Sequence, residues 1–332
     1  MRKVRLLLFA LFLVLGGLVA CSNNDNEEGV NNENENIENV ENNEEAGENE
    51  DKEAEASFPV TVTDGNGESF TMEEEPEKIV SLIPSNTEIA YALGLGEKMV
   101  AGSDFDNYPA EALELEKIGG LELNIEAIVA LEPDLVLAHP GNPIEGVEQL
   151  IDAGLTVFVV KDATNFEEVY ESIETVGKIT GTAEKAAEII ADMKEAFAEI
   201  EALAADISEA DKKTVFIEIS PSPEIYTPGV GTFENAILSL INAENGVKED
   251  GWIMISEEAI IEMNPDFIVA TYDFIENVEE QIMSRDGWQD ITAVKEESVI
   301  VFDPDLLSRP GPRLVDGAIE LAKAIYPDVF KE

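Results

Sequence analysis

Cysteine and histidine are almost absent from this sequence, which has one of each in 332 residues. A single cysteine excludes an intramolecular disulfide, and a single histidine argues against a multi-histidine zinc or manganese site. The chain also lacks a glycine-rich phosphate loop with its lysine, and no nucleophile–base pair is found around the histidine. These absences favour a protein that is not an enzyme, holds no metal of its own and carries no cofactor.

Positive charge is the second scarcity. Lysine and arginine number 20 against 72 aspartates and glutamates, so the formal net charge is −52 at pH 7. Nucleic-acid binding needs a basic surface to face the phosphates, and this composition argues against it. Hydrophobic residues nevertheless make up 44% of the chain, which is enough for the cores of two ordinary domains.

An apolar run near the N-terminus predicts a secretory signal over residues 1–20. A basic start, Met1–Arg5, precedes the apolar run Leu6–Leu15, and the letters LVAC that follow resemble the lipobox of bacterial lipoproteins. We therefore expect cleavage before Cys21 and lipidation of that residue. The alternative is an uncleaved anchor helix with an incidental cysteine, for which the apolar run is short.

Residues 21–57 predict a lipidated Cys21 followed by a disordered acidic tether. Beyond the cysteine the segment holds 14 aspartates and glutamates and 11 asparagines against one lysine, with no apolar period. Such a composition forms no core that offsets the entropy of ordering the chain. The prediction is a protein anchored by lipid to the extracellular face of the cell membrane of a Gram-positive bacterium, with the tether as spacer.

One short pattern occurs twice. Residues 124–138 read NIEAIVALEPDLVLA, and residues 256–270 read SEEAIIEMNPDFIVA. In each copy a capping residue, Asn124 or Ser256, precedes a short helix, and Pro-Asp then leads into an apolar strand. The pattern predicts one αβ unit used once in each half of the chain.

The remaining pattern predicts an α/β fold in two halves. Strands and helices alternate at the spacing of a largely parallel sheet covered on both faces, after a β-hairpin over Phe58–Met72. An uninterrupted helical period from Ala183 to about Ala205 would span roughly 35 Å, so this helix either bridges the halves or packs on one of them. We expect a first α/β lobe over 58–180, a bridging helix over 181–210 and a second α/β lobe over 211–332.

Local signals place three smaller features. Ser85 or Thr87 is expected to cap a helix that runs over Ile89–Leu93. A glycine-rich turn is predicted over Thr227–Gly231, and a loop over Asp303–Pro312.

The combined motifs resemble a known family. The segment Pro76–Gly94 (PEKIVSLIPSNTEIAYALG), Tyr108-Pro109, the repeated unit and the closing SRPGPR at Ser308–Arg313 are similar to those of the vitamin B12- and ferric-siderophore-binding proteins of ABC importers, most of all the vitamin B12 branch. The resemblance extends from Phe58 to the C-terminus. It implies two Rossmann-like lobes joined by a single long bridging helix, with the ligand cleft between the lobes. It also implies a monomer that captures a small-molecule metal chelate and delivers it to a permease dimer with its ATPases.

The resemblance assigns a docking role to two glutamates. Glu126 and Glu258 match the acidic residues by which such proteins dock onto arginines of the two permease subunits. One charge on each lobe suits a two-fold partner with two separated ion pairs. The alternative is that each carboxylate only stabilises its helix dipole, an effect of about 0.3–1 kcal/mol.

The resemblance also implies a set of cleft residues: Phe105, His139, Ile219, Trp252, Asp305 and Arg309. Aromatic faces grip large flat ligands, and a few polar groups orient them. Phe105 and Trp252 fit that role, or else pack in a core. Arg309 either binds the edge of the cargo or pairs with Asp305. His139 either approaches the metal of the cargo or is a hydrogen-bonding wall residue. At His139 and Ile219 the family more often has an aromatic residue. The same holds for Gly120, just before the first repeat.

Arginine content separates the candidate cargoes. Three arginines lie beyond the tether, Arg285, Arg309 and Arg313. A triply anionic ferric catecholate needs clustered positive charge to offset its desolvation. We therefore expect a corrinoid such as cobalamin, with a ferric hydroxamate siderophore as the alternative. An enzyme and an adhesion or structural surface protein are the rival classes, and the second would not predict two matched docking carboxylates.

Overall fold

The computed structural model describes residues 58–272 and 274–331. The predicted signal over residues 1–20, the predicted tether over 21–57 and Cys21 therefore lie outside the described residues. Among the helices of the described part, none combines the length and the apolar character that a bilayer crossing requires.

Thirteen strands and eleven α-helices form the regular structure of the described residues. The strands are β1 (Val60–Thr63), β2 (Ser69–Met72), β3 (Ile79–Ser81), β4 (Met99–Gly102), β5 (Glu116–Lys117), β6 (Leu135–Ala138), β7 (Val157–Val159), β8 (Thr214–Glu218), β9 (Tyr226–Pro228), β10 (Glu244–Asn245), β11 (Trp252–Met254), β12 (Phe267–Ala270) and β13 (Val299–Val301). The helices are α1 (Pro84–Ala92), α2 (Ile125–Ala130), α3 (Ile144–Asp152), α4 (Phe166–Ile179), α5 (Ala183–Ala204), α6 (Phe233–Leu240), α7 (Glu257–Met263), α8 (Val278–Met283), α9 (Thr292–Lys295), α10 (Pro304–Ser308) and α11 (Leu314–Ile325).

Two parallel sheets organise these elements. One has five strands in the order β5-β4-β3-β6-β7, and the other has four in the order β10-β8-β12-β13. Every neighbouring pair in both sheets is parallel. We call the first sheet with α1–α4 the first lobe, and the second sheet with α6–α11 the second lobe. The predicted α/β class with parallel sheets is confirmed, while the boundaries 58–180, 181–210 and 211–332 stay predictions.

Each sheet buries apolar side chains on both faces. In β6, Leu135 and Leu137 contribute to one core, whereas Val136 and Ala138 contribute to another. This division follows from the alternation of side chains along a strand. The second sheet divides its side chains between two cores in the same way. Burial on both faces explains why these strands read as continuous apolar runs.

Helix α5 packs against α4 of the first lobe and against α6 and α11 of the second. Its buried side chains form one stripe at helical spacing: Ala186, Met193, Phe197, Ile200 and Ala204. A single continuous apolar core contains this stripe together with side chains from both sheets. We call it the shared core. The bridging role of this helix stays a prediction, and this packing supports it.

The two repeat copies use the same local contacts. Asn124 caps α2 and Ser256 caps α7, each accepting a backbone N–H three residues later, at 3.1 and 3.3 Å. Asp134 and Asp266, the aspartates of the two Pro-Asp pairs, each accept a backbone N–H at the start of the neighbouring strand, at 2.8 Å. The repeated Pro-Asp therefore fastens one strand to the next in each sheet.

The predicted start of the first helix was wrong. Helix α1 begins at Pro84 with Ile83 at its N-cap, so Ser85 and Thr87 lie inside the helix and cap nothing. Proline suits the first helical position, where no backbone N–H is needed. All residues from Pro84 to Ala90 are buried, so no amphipathic period marked the first turn.

Two irregular segments also contain structure that was not predicted. Within the expected loop Asp303–Pro312 lies α10, capped by Asp303, which accepts the backbone N–H of Asp305 at 2.9 Å. The expected turn at Thr227–Gly231 overlaps β9, which pairs antiparallel with β11. This ribbon presents Trp252 from β11.

Candidate ligand cleft and docking surface

A cleft of about 240 Å³ is lined by residues of both lobes. On the first lobe its walls follow the carboxyl ends of β3, β6 and β7, where ligands of open parallel sheets bind. The lining includes Ser85, His139, Asp162, Thr232, Trp252 and Arg309. Three of the six predicted cleft residues therefore meet in one cavity. Phe105 and Asp305 lie outside its lining, although both contact Arg309.

Hydrogen bonds fix the position of His139, which directly follows β6. Its backbone N–H donates to Asn142 Oδ1 at 2.8 Å, and the backbone N–H of Gly141 donates to its Nδ1 at 3.0 Å. Its Nε2 has no hydrogen-bond partner among the described residues and lies 3.6 Å from Asp162 Oδ1. Burial lowers the pKa of His139, against the opposing effect of Asp162. The ring is therefore neutral at pH 7.

Two aromatic side chains are exposed near the cleft. Phe105 and Trp252 are each 53% exposed, so neither packs in a core. Gly120 makes room for the first of them, because a Cβ at this position would lie 2.6 Å from the Phe105 ring. Ile219 differs, since it is partly buried and packs against the shared core. The aromatic faces thus available to a flat ligand are those of Phe105 and Trp252.

The guanidinium group of Arg309 is held by acceptors within the protein. Its Nη1 donates to Glu88 Oε1 at 2.8 Å and to Asn107 Oδ1 at 2.7 Å. Its Nη2 pairs with Asp305 Oδ1 at 2.8 Å, and Asp305 also accepts from Asn107 at 2.7 Å. The pairing of Arg309 with Asp305, one of the two predicted roles, is therefore present.

Glu88 of α1 connects Arg309 to Arg313. Its side chain is 1% exposed and accepts from Arg313 Nε at 2.8 Å and Nη2 at 2.6 Å. The Arg313 guanidinium also lies 4.0 Å from the centre of the Tyr108 ring. We call Glu88, Arg309 and Arg313 the Glu88 clamp, which ties α1 of the first lobe to the segment after α10.

Sequence reasoning missed Glu88 altogether. Its partners lie 221 and 225 positions away, and no local pattern reports a contact at such a separation. The available signal was one glutamate within the otherwise uncharged PSNTEIAYALG stretch, which the structure buries.

A second buried carboxylate, Glu218, lies at the end of β8. Arg285 donates two hydrogen bonds to it, at 2.7 and 2.6 Å, and the Tyr272 hydroxyl donates a third. The Arg285 guanidinium also stacks on Trp288, 4.5 Å from the ring centre. All three arginines of the described residues are therefore engaged by buried glutamates.

Two further buried carboxyl groups have an oxygen without a partner among the described residues: Asp106 Oδ1 and Glu234 Oε2. Burial raises the pKa of Asp106 to about 6, although a hydrogen bond from Thr87 and the charge of Lys117 oppose the shift. Burial likewise raises the pKa of Glu234, at the start of α6, to about 7. Both groups therefore titrate near neutral pH.

The two predicted docking glutamates occupy equivalent places. Glu126 lies in the first turn of α2 and Glu258 in the first turn of α7, and both are exposed. Neither forms an ion pair with any other described residue. The helix-dipole role and the docking role remain compatible, because a first-turn carboxylate that stabilises its helix stays accessible.

A larger concavity, about 860 Å³, lies beside α1. Its walls include Tyr91, Tyr108, Glu97, Glu111 and Glu114, and none of the predicted site residues lines it. Across residues 58–272 and 274–331, no three histidine, cysteine, aspartate or glutamate side chains converge in a way that could hold a metal ion. The cleft around His139 therefore brings together more of the predicted ligand-binding residues than any other cavity described.

Comparison with known proteins gives consistent results. The family profile described as periplasmic binding protein matches residues 79–306. The ABC transporter substrate-binding lipoprotein YvrC of Bacillus subtilis is 47% identical over 279 residues, covering 83% of this chain and 88% of its own. The vitamin B12-binding protein of Vibrio parahaemolyticus is 31% identical over 265 residues, covering 77% of this chain and 92% of its own.

A solved structure shows the same fold. The possible iron-binding, periplasmic solute-binding protein of Staphylococcus epidermidis is 35% identical, with a TM-score of 0.68. The match covers 76% of this chain and 100% of that one. The family profile match begins at residue 79, beyond the predicted tether, and includes both parallel sheets.

Proposed function

This chain belongs to the periplasmic binding protein family, and we propose that it captures a corrinoid outside the cytoplasm and delivers it to an ABC importer. The coarser part of this role, substrate binding for an ABC transporter, follows from the family and from the 47% identical lipoprotein of Bacillus subtilis. Members of this family bind and deliver solutes and are not enzymes. The choice of a corrinoid is our proposal.

The internal pairing of the arginines is the main support for a near-neutral cargo. Arg309 and Arg313 bind Glu88, and Arg285 binds Glu218, so no guanidinium group of the described residues is left without an internal carboxylate. Binding a triply anionic chelate would require at least one guanidinium group to leave its internal carboxylate, at the cost of a buried ion pair. A near-neutral corrinoid or ferric hydroxamate needs no such break.

The size of the cleft supports a large cargo held by its edge. Its volume of about 240 Å³ is below the ~300–1,000 Å³ of ordinary ligand pockets, so a corrinoid could enter only in part. The rest of the ligand would lie against exposed aromatic faces, for which Phe105 and Trp252 are available. The 31% identical Vibrio protein that is named a vitamin B12-binding protein also favours this cargo.

Delivery to the permease is proposed through Glu126 and Glu258. Their equal positions in two equivalent helices, their exposure and their lack of internal partners support a contact with one basic group on each permease subunit. Lipidation at Cys21 and the acidic tether would hold the protein near that permease, on the extracellular face of the membrane.

Titration of the protein with cyanocobalamin and, separately, with ferrichrome tests the cargo. Trp252 is 53% exposed at the cleft, whereas Trp288 is fully buried beside Arg285. We expect cyanocobalamin to quench the emission of Trp252 and to give a binding isotherm by calorimetry. Binding of ferrichrome alone would establish the alternative cargo, and binding of neither chelate would reject the proposal.

The chain supplies its own control for the fluorescence signal. In Trp252→Phe the remaining emission comes from Trp288, because the sequence contains two tryptophans. This emission should fall less on addition of cyanocobalamin than that of the parent, because Trp288 is buried and the corrin reaches it only by energy transfer through space. A change of equal size in the variant would show that the quenching does not arise at the cleft.

A further inference from the structure

In the His139 ring, Nδ1 accepts a hydrogen bond, whereas Nε2 has no hydrogen-bond partner among the described residues. The backbone N–H of Gly141 donates to Nδ1 at 3.0 Å, so Nδ1 presents its lone pair and carries no proton. In a neutral imidazole the proton is then on Nε2. This Nε2–H group is buried in the cleft lining and has no acceptor among the described residues.

Coordination of a metal by Nε2 would require the opposite tautomer. The proton would move to Nδ1, where it would meet the N–H of Gly141 that now donates to this atom. The backbone of Gly141 passes close to the ring, since a Cβ at this position would lie 3.2 Å from Nδ1. The turn after β6 therefore holds the ring in a form that donates a hydrogen bond and does not bind metal.

Neighbouring charges define what the Nε2–H group can bind. Asp162 Oδ1 lies 3.6 Å from Nε2, beyond hydrogen-bond distance, and is 64% exposed at the side chain. Arg309, the cationic group of the lining, is bound to Glu88 and Asp305. A carboxylate on Nε2 would therefore lie close to the charge of Asp162 with no free cation to offset it.

We infer that His139 is a specificity residue that donates a hydrogen bond from Nε2 to a neutral carbonyl oxygen at the edge of the cargo and does not coordinate its metal. The inference rests on the proposed function and narrows it: the cargo presents amide-like carbonyl groups at its periphery. Chelates that present carboxylates there are disfavoured by Asp162. The small volume of the cleft agrees, since it admits the edge of a large ligand and not its metal centre.

The tautomer can be measured without any ligand. The sequence has a single histidine, so a long-range ¹H–¹⁵N correlation spectrum of the labelled protein contains one imidazole signal set. We expect the Nε2–H pattern at pH 7 to 8. An Nδ1–H pattern or a charged ring at this pH would overturn the inference whether or not the protein binds a corrinoid.

Aquocobalamin tests metal contact directly. Its axial water is exchangeable, and replacement by imidazole changes the visible spectrum of the cobalt centre, whereas cyanocobalamin offers no such site. We expect both compounds to bind with affinities within about 3-fold and the aquocobalamin spectrum to stay unchanged on binding. A spectral shift that disappears in His139→Phe would overturn the inference while leaving the proposed function intact.

Three substitutions separate donation from coordination. Glutamine keeps an N–H donor and is a poor metal ligand, methionine is a thioether ligand with no donor, and phenylalanine is neither. For cyanocobalamin we expect His139→Met and His139→Phe to weaken binding about 10-fold, equivalent to ~1.4 kcal/mol, and His139→Gln to recover most of that loss. Full affinity in His139→Met together with a loss in His139→Gln would contradict donation.

The role of Asp162 is tested with the monocarboxylic acids of cyanocobalamin, each of which has one peripheral amide replaced by a carboxylate. At least one of these acids should bind about 10-fold more weakly than cyanocobalamin, and Asp162→Asn should remove most of that difference. Equal binding of all the acids would contradict selection for a neutral carbonyl. Failure of every corrinoid to bind would instead reject the proposed function, with the tautomer still decided by the spectrum of the free protein.

Discussion

Replacing Glu88 by glutamine should destabilise the protein strongly although the two side chains have nearly the same shape. Glu88 receives one hydrogen bond from Arg309 and two from Arg313, and its side chain is 1% exposed. Glutamine keeps one carbonyl acceptor but turns an N–H₂ group towards guanidinium donors. The two arginines would then lose the buried carboxylate they share, and of the two only Arg309 would keep an ion pair, with Asp305.

The size of the effect follows from the burial of the pair. Removing one partner of a buried ion pair costs about 3–5 kcal/mol, because the remaining charge is left unpaired. A chain of this size loses roughly 2–4 °C of melting temperature per kcal/mol, so Glu88→Gln should melt roughly 10 °C lower. Replacing all three residues of the Glu88 clamp by methionine should recover much of the loss, since it removes the charges as a set.

Urea denaturation followed by far-ultraviolet circular dichroism measures this free energy of unfolding. Glu148→Gln, on the exposed face of α3, is the matched control and should stay within about 0.5 kcal/mol of the parent. In a double-mutant cycle, the loss of unfolding free energy in the Glu88→Gln, Arg313→Met variant should be about 1–3 kcal/mol smaller than the sum of the losses in the two single variants. A loss below 1 kcal/mol for Glu88→Gln would refute the assignment of the clamp as a stabilising link.

Two other predictions concern import and pH. Reversing both docking charges, Glu126→Lys with Glu258→Lys, should abolish uptake through the permease and leave affinity for the cargo unchanged, because neither carboxylate lines the cleft. Stability should fall as the pH rises from about 4 to about 8. Burial raises the pKa of Asp106 to about 6 and that of Glu234 to about 7. Each group therefore stabilises the folded state fully at a pH below its unfolded pKa, and this stabilisation is lost as the pH rises through its folded pKa. Each group contributes up to ~3 kcal/mol, and Glu234→Gln should flatten the profile between pH 5 and 8.

Each of these has a clear contrary result. Loss of cargo affinity in the double charge reversal would place one of the two glutamates in the binding site and not on the docking surface. A pH profile of Glu234→Gln that runs parallel to that of the parent would show that Glu234 has the same pKa in the folded and unfolded chain. The many exposed carboxylates of this acidic protein titrate in both proteins, so the difference between the two profiles isolates the buried group.

Elements with a strong local pattern were predictable. The apolar strands expected after Pro-Asp in the two repeat copies are β6 and β12, and the helix expected from Ala183 to about Ala205 is α5, because continuous apolar runs and helical periods are local signals. The β9–β11 ribbon was missed because its two strands are joined by more than twenty residues, so no hairpin turn announces the pairing.

The site was predictable in its residues but not in its contacts. His139, Trp252 and Arg309 do line one cleft, yet the state of the histidine depends on the backbone of Gly141, and the occupation of the arginine depends on Glu88. Both facts are matters of orientation and of contact between distant segments. A sequence pattern gives residue type and periodicity, and neither of these predicts which atom donates and which accepts in a hydrogen bond.

The shared core has a consequence for engineering. Since the buried stripe of α5 belongs to the same apolar core as side chains of both sheets, separating the lobes would expose that stripe to water. An attempt to change the cargo by exchanging one lobe with that of a relative would therefore have to import α5 and α11 as well. The chain has two lobes by topology, but both lobes contribute to the shared core, so one lobe is not exchangeable without the helices that complete this core.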